Sequence, residues 1–298
     1  MAHSTVAQIK LKSGGMSYAI RLSDGRFILI DGGTSFEADG AYLYEYLCSR
    51  TEGEKVVIAA WLFTHGHLDH VALAARFMTA YRESIRIERI LYNIPVGIDF
   101  CGYDAKVGND RDAIFEREWF EAVRLYPEAD LHEVRTGEVF RIGDIVIEVL
   151  LSAEDRYPDP PTNRNETSAV FKLTFENGVR FMVLGDAMGA RLAKLIDPAS
   201  PLFCEEERLR CEILQVAHHG LAVAGYELYP KIEELYRRIS PRICFWPTYA
   251  HRFYNDPWCQ DEKHIYNRFL LAHAKERNFH SSQTVEVSTE DLAITLVD

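Results

Sequence analysis

The stretch that decides the fold is Val56-Val57-Ile58-Ala59-Ala60-Trp61-Leu62-Phe63-Thr64-His65-Gly66-His67-Leu68-Asp69-His70. Its first eight residues are an uninterrupted apolar run, the pattern of a buried strand. Val71-Ala72-Leu73-Ala74-Ala75-Arg76-Phe77-Met78 follows and reads as the start of a helix. The histidines and the aspartate therefore sit on a turn at the carboxyl end of a strand, where open α/β sheets place ligand sites. Imidazole with carboxylate suits Zn²⁺, Mn²⁺ or Fe, and the lack of cysteine in the cluster argues against a soft-metal or purely structural site. His65 and His67 alternate along extended backbone, so their side chains can point the same way. Asp69 and His70 turn onto the helix start, where they can face a second ion; the other reading of Asp69 is a helix cap.

His65-Gly66-His67-Leu68-Asp69-His70 resembles the signature of the metallo-β-lactamase superfamily. Other landmarks of that family stand in order along the chain. Phe27-Ile28-Leu29-Ile30-Asp31-Gly32-Gly33 resembles its early strand and aspartate-glycine turn. Phe181-Met182-Val183-Leu184-Gly185-Asp186-Ala187 resembles the strand that delivers a metal-bridging aspartate. Ile213-Leu214-Gln215-Val216-Ala217-His218-His219-Gly220 resembles a later strand ending in a metal-binding histidine. The matches run from about Gly14 to His251, most of the chain. The His-His-Gly form is similar to the hydrolase domain of bacterial DNA-uptake channel proteins and to phosphorylcholine esterases.

The resemblance implies a fold, a metal centre and roles for named residues. The fold is α/β, a four-layer αββα sandwich, and residues 1–298 form a single domain. His65 and His67 hold one metal, Asp69, His70 and His219 a second, and Asp186 bridges both. Two zinc ions are expected, with manganese or iron as alternatives. Family members often add a histidine between the first motif and the bridging aspartate, but here only His132 lies there, without a ligand context. The DNA-uptake branch carries an asparagine near Asn165, which either contacts substrate, orients a ligand or caps its loop. The first metal is therefore expected to bind more weakly. His218 and His219 are read as adjacent on extended backbone, so they diverge: His219 binds metal and His218 faces substrate as a general acid. His251, beyond the strand Ile243 to Phe245, is a candidate to face substrate or metal. Asp31 supports the site by holding backbone or a ligand histidine.

Composition narrows the rest. The net charge of −12 gives little drive to bind a polyanion, so long nucleic acid is discounted as substrate unless a basic patch, for instance at Arg156 or Arg164, compensates. Among the six cysteines no pair has Cys-x-x-Cys spacing, and Cys211 and Cys244 lie in apolar runs as core residues. No uncharged apolar run approaches the roughly 20 residues that span a bilayer. The N-terminus lacks a signal-peptide pattern, and a soluble cytoplasmic protein is expected.

Periodicity places the remaining elements. Hairpins are expected through Ser23-Asp24-Gly25 and Asn177-Gly178. Helices are expected from Ala41, with Asp39-Gly40 as the start signal, from Ala113 to Tyr126, and from Lys263 to Arg277. His264 and His273 on the last of these read as surface or packing residues. Asn93 to Asp112 and Ala153 to Glu166 read as long loops lining a pocket. The expected activity is hydrolysis of a phosphoester or phosphodiester by metal-activated water. Hydrolysis of a carboxylic ester, lactone or amide in the same site is one alternative, and a metal-bound regulatory or interaction protein with little turnover is the other.

Overall fold

The apolar run Val56–Phe63 is a strand with both faces covered, which is why it reads as continuous rather than alternating. Trp61 and Phe63 point to helices on one side, while Ala60 and Leu62 point to a second sheet on the other. The computed structural model of the chain describes residues 3–297 except 13, 35–36, 52, 54, 96–110, 157–160, 162, 222–224, 256–264 and 276.

Two mixed sheets form the middle layers. The first contains β1 (Thr5–Gln8), β2 (Tyr18–Arg21), β3 (Phe27–Ile30), β4 (Val56–Phe63), β5 (Ile85–Ile87), β6 (Arg89–Tyr92), β7 (Asp130–Glu133), β15 (Thr284–Ser288) and β16 (Ile294–Val297). Its order is β16-β15-β1-β2-β3-β4-β6-β7, with β5 also on β4. The second runs β14-β13-β12-β11-β10-β9-β8, built from β8 (Val139–Ile142), β9 (Ile145–Leu151), β10 (Val170–Phe175), β11 (Arg180–Val183), β12 (Ile213–Gln215), β13 (Ile243–Trp246) and β14 (Asn278–His280). Between the sheets lies a core that includes Tyr18, Ile28, Leu62, Ile147, Phe171, Phe181 and Phe245. The Tyr18 ring bridges the layers, 5.5 Å from Phe181 and 5.8 Å from Phe245 between centroids.

Helices cover both outer faces. α1 (Glu37–Cys48), α2 (Leu68–Ala80) and α3 (Arg111–Val123) bury Leu47, Phe77 and Trp119 against the first sheet. The helices Tyr229–Ile239 and Ile265–Ala274 bury Leu235, Tyr236 and Leu270 against the second. The layers are therefore helix, sheet, sheet, helix, the αββα arrangement expected. No helix among the described residues is long and apolar enough to cross a membrane.

Several local expectations change. α1 begins before Asp39-Gly40, because the Asp39 carboxylate is used by the Lys12 amide at 2.8 Å rather than as a cap. β5 and β6 are separated at Glu88, whose amide donates to the Ile58 carbonyl. The last helix ends at Ala274 rather than Arg277, and Lys263 and His264 lie outside the described residues. So do most of Asn93 to Asp112 and part of Ala153 to Glu166; the described remainder of the second includes two 3₁₀ turns, Ala153–Arg156 and Arg164–Thr167.

What positions a site is the parallel run of β3 and β4 in one sheet and of β11, β12 and β13 in the other. The carboxyl ends of these strands meet at one rim. The Ala169 amide donates to the Thr64 carbonyl at 2.9 Å and ties the two sheets there.

Candidate metal centre

Asp31, the residue after β3, is the anchor. Its φ of +50° is unusual for a non-glycine residue, and buried hydrogen bonds hold it there. Oδ1 accepts the Thr64 amide at 2.8 Å, and Oδ2 accepts the Thr64 hydroxyl at 2.7 Å. Oδ2 also accepts Nδ1–H of His70 at 2.6 Å. The Thr64 hydroxyl has spent its only proton on Asp31, so at 3.1 Å from Nδ1 of His65 it acts as acceptor. Both buried histidines therefore carry their proton on Nδ1 and turn an Nε2 lone pair inward.

The second sheet supplies the other side. Gln215 holds the turn after β11, accepting the Gly185 amide at 2.7 Å and donating to the Gly185 carbonyl at 3.1 Å. This delivers Asp186, which is 2% exposed. After β12, His219 donates Nδ1–H to the Pro247 carbonyl at 2.6 Å, which again leaves Nε2 as the inward atom.

These atoms converge. Nε2 of His219 lies 3.1 Å from Asp69 Oδ2 and 3.3 Å from Asp186 Oδ2. Nε2 of His70 lies 3.4 Å from Asp186 Oδ2, and Nε2 of His65 lies 3.9 Å from it. Two overlapping sets could each hold an ion: His65, His70 and Asp186, and Asp69, His70 and His219. His67 stands beside the first, with Nδ1 3.0 Å from Nε2 of His65. Yet Nε2 of His70, Nε2 of His219 and Oδ1 of Asp186 are buried without a hydrogen-bond partner. A lone pair facing a carboxylate oxygen at such distances needs a proton or a cation between them. The donors are nitrogen and oxygen from histidine and aspartate, so the residues present fit zinc, manganese or iron.

Electrostatics agree. Burial opposes charge on His219, but Asp186 and Asp69 outweigh it and push the ring up to about 10. Burial likewise opposes charge on His70, and Asp186, Asp31 and Asp69 raise it. Burial, with His70 and His67 nearby, holds His65 well below the usual range, and it stays neutral. Burial also opposes ionisation of Asp69 and Asp186, but His70 and His219 keep both carboxyls low. These directions favour protons shared between the imidazoles and the carboxylates, which a divalent cation would displace.

The expected backbone at His218-His219 is wrong. Both residues are left-handed, with φ of +49° and +58°, inside the turn Ala217–Gly220. Their side chains still part, for a different reason: His219 is drawn to Pro247 and the carboxylates, and His218 Nε2 meets Nδ2 of Asn165 at 3.2 Å. Oδ1 of Asn165 is buried and has no partner. His251 is not brought to the centre; it is exposed on the helix Ala250–Asn255. His132 is also remote, bonded to Glu138 at 3.0 Å. Asp69 does not cap α2; the Leu68 amide is taken by Asp112 Oδ1 at 2.8 Å.

The structure adds partners that the sequence did not announce. Arg164, which could have formed a basic patch, is 2% exposed and paired with Glu116 of α3 at 2.7 Å and 3.1 Å. A Cβ on Gly66 would stand 2.3 Å from that Glu116 carboxylate, so the motif glycine makes room for the pair. The Pro247 carbonyl orients His219 but, as backbone, leaves no side-chain signal.

The model of the metallo-beta-lactamase superfamily matches residues 12–155, which include the first motif and Asp31. No curated protein matches the sequence. Among solved structures the chain is similar to CmlA, a diiron β-hydroxylase from Streptomyces venezuelae, with TM-score 0.55 and 10% identity over 97% of this chain. It spans about half of that protein, 54% of its length. It is also similar to the metallo-beta-lactamase fold protein YhfI from Bacillus subtilis, with TM-score 0.48 and 11% identity over 82% of this chain and 85% of that one. Yeast PDE1 gives TM-score 0.48 and 12% identity over 94% and 98%. From the layered sheets, the matched segment and the converging histidines and aspartates, the chain has the metallo-β-lactamase fold and carries a candidate catalytic metal centre.

Proposed function

We propose that the protein is a metal-dependent hydrolase with a two-ion centre, acting on a phosphoester or phosphodiester. The observation that carries this reading is the set of buried, unpartnered Nε2 and Oδ1 atoms of His70, His219 and Asp186 at the rim where both sheets end. His65 and His67 would hold the first ion, Asp69, His70 and His219 the second, and Asp186 would serve both. Divalent cations held this way supply Lewis-acid chemistry, acidifying water near neutral pH and offsetting charge on a substrate oxygen. The remaining work falls to side chains. Asp31 and Pro247 fix the ring orientation of His70 and His219. Asp69, 34% exposed at its side chain, faces the opening and orients water. His218, held by Asn165, donates to a phosphoryl oxygen or the leaving group. The buried Asn165 Oδ1 supports a substrate contact on the same wall.

The finer kinship with DNA-uptake hydrolases and phosphorylcholine esterases rests on the His-His-Gly segment and Asn165. CmlA is a diiron protein of similar fold, so the ion here is to be measured, with zinc expected. The first ion lacks a third histidine and is expected to bind more weakly. Long nucleic acid stays discounted, supported by the −12 charge and by the burial of Arg164. A cytoplasmic location belongs to the same proposal, supported by the free thiols of Cys204, Cys211 and Cys244.

The test combines elemental analysis, metal titration and a panel of chromogenic phosphodiesters, phosphomonoesters, esters and lactones, with Asp186→Ala as control. Metal-dependent turnover of a phosphoester, lost in Asp186→Ala, is the expected result. Turnover confined to carboxylic esters, lactones or amides overturns the substrate class, and bound metal without turnover favours a regulatory protein. Cleavage of single-stranded DNA at physiological salt, lost in the same variant, overturns the exclusion of nucleic acid.

A further inference from the structure

A second concave site lies at the amino ends of β13 and β14, opposite the carboxyl ends that carry the metal centre. The helices Tyr229–Ile239 and Ile265–Ala274 both end there, at Ser240 and Lys275, each left-handed with φ of +50° and +52°. A cavity of about 710 Å³ opens between these ends, lined by Pro241, Arg242, His273, Ala274, Lys275 and Arg277. That volume is in the range of small-molecule sites.

Among the described residues, every charged one in this lining is basic, in a chain of net charge −12. Helix C-termini attract cations, which accounts for Lys275. It does not account for Arg242 and Arg277, which lie just before β13 and β14, and strands carry little dipole. No described carboxylate pairs with Arg242, Lys275 or Arg277. Nη1 of Arg277 is buried without a hydrogen-bond partner. The backbone around it is fixed: Arg277 N donates to Ala274 at 3.0 Å, Arg277 O accepts Cys244 N at 3.0 Å, and Arg242 N donates to Glu212 at 2.9 Å. The cup therefore gathers basic side chains, and one guanidinium nitrogen there is unsatisfied.

We propose that this cup binds a soluble phosphate ester. Guanidinium groups match phosphate oxygens in pairs, and the lysine adds a point charge. The cup is separate from the metal centre: Arg242 and Pro247 bracket β13, roughly 15–17 Å apart at strand spacing.

The test is isothermal titration of the full, metal-replete chain with inorganic phosphate, pyrophosphate and glycerol 3-phosphate at constant ionic strength. Saturable binding should weaken roughly tenfold or more in Arg277→Gln and in Arg242→Gln, and persist in His219→Ala. Metal content should be unchanged in Arg242→Gln. Arg242 and Lys275 are exposed, so Arg242→Gln and Lys275→Gln carry the test if Arg277→Gln fails to fold. Absence of saturable binding overturns the proposal. So does binding that His219→Ala abolishes and Arg242→Gln spares, which would put the anion at the metal centre. Binding to vesicles bearing phosphatidic acid without binding to free phosphate would make the ligand a lipid surface and would also overturn it.

Discussion

Replacing Asp31 by asparagine changes one oxygen for an amide and tests the logic of the centre. In the native protein Oδ2 accepts two donors, the Thr64 hydroxyl at 2.7 Å and His70 Nδ1–H at 2.6 Å. An asparagine that keeps its oxygen on the Thr64 amide turns its NH₂ toward both of them. The Thr64 hydroxyl can rotate and accept. His70 cannot, unless its proton moves to Nε2, the atom that faces the metal position. A hydrogen bond to a buried charged group contributes about 1.5–3 kcal/mol, which converts to roughly 10- to 150-fold in an equilibrium constant. Loss of such outer partners typically costs about 10–100-fold in metal affinity. Asp31→Asn should therefore weaken metal binding by one to two orders of magnitude, with most of the loss at the ion held by His70. Competition with a fluorescent chelator measures this, and denaturant unfolding of the metal-free protein measures the loss of fold stability separately. Metal affinity within twofold of the native protein would refute the idea that Asp31 sets which nitrogen of His70 faces the centre.

Three further outcomes are expected. His218→Ala should keep its metal while turnover falls by about 10²–10⁴, most for poor leaving groups, whereas His219→Ala should lose metal as well; paired elemental analysis and kinetics check this. Gly15→Ala should lower both melting temperature and metal affinity, because φ is +96° there and the new Cβ would stand 2.3 Å from the Asp69 carbonyl; overpacking of this kind costs about 1–3 kcal/mol, read by calorimetry and metal titration. Burial opposes ionisation of Glu212, but hydrogen bonds from Arg180 outweigh it and hold the carboxyl below 4.5. The stability from that pair is fully present above pH 4.5 and is lost as pH falls through the lower native value, so Glu212→Gln should be less stable near neutrality and should flatten the acid limb, seen by denaturant unfolding between pH 7 and 3.

The elements that were legible are those whose cause is local. Val56–Phe63 announces itself because burial on both faces demands an unbroken apolar run. Asn177-Gly178 marks its hairpin because Gly178 takes φ of +84°, which costs glycine little. The first motif was legible because its histidines and aspartate are packed into six positions. What was not legible depends on distant partners. Two consecutive non-glycine residues at positive φ run against local preference; His218 and His219 adopt it while the His218 amide bonds to Gly185 and the His219 ring to Pro247. Asp39 looks like a cap until Lys12, 27 positions away, claims its oxygen. His251 fits the strand-end pattern, but the chain enters a helix at Ala250 and carries it to the surface.

The rim where Thr64 meets Ala169 has a thermodynamic consequence. Asp69 and His70 arrive from one sheet, Asp186 and His219 from the other, and none of the four can hold an ion alone. A cation there would act as a clasp between two halves of the molecule, and its binding energy would become part of the folding energy. Occupancy at a hundred times the dissociation constant adds about 2.7 kcal/mol of stability, and each further tenfold in free metal adds about 1.4 kcal/mol. The melting temperature of this protein should then report free metal in its surroundings, and chelation should loosen first the edge that faces substrate, leaving the apolar layers beneath intact.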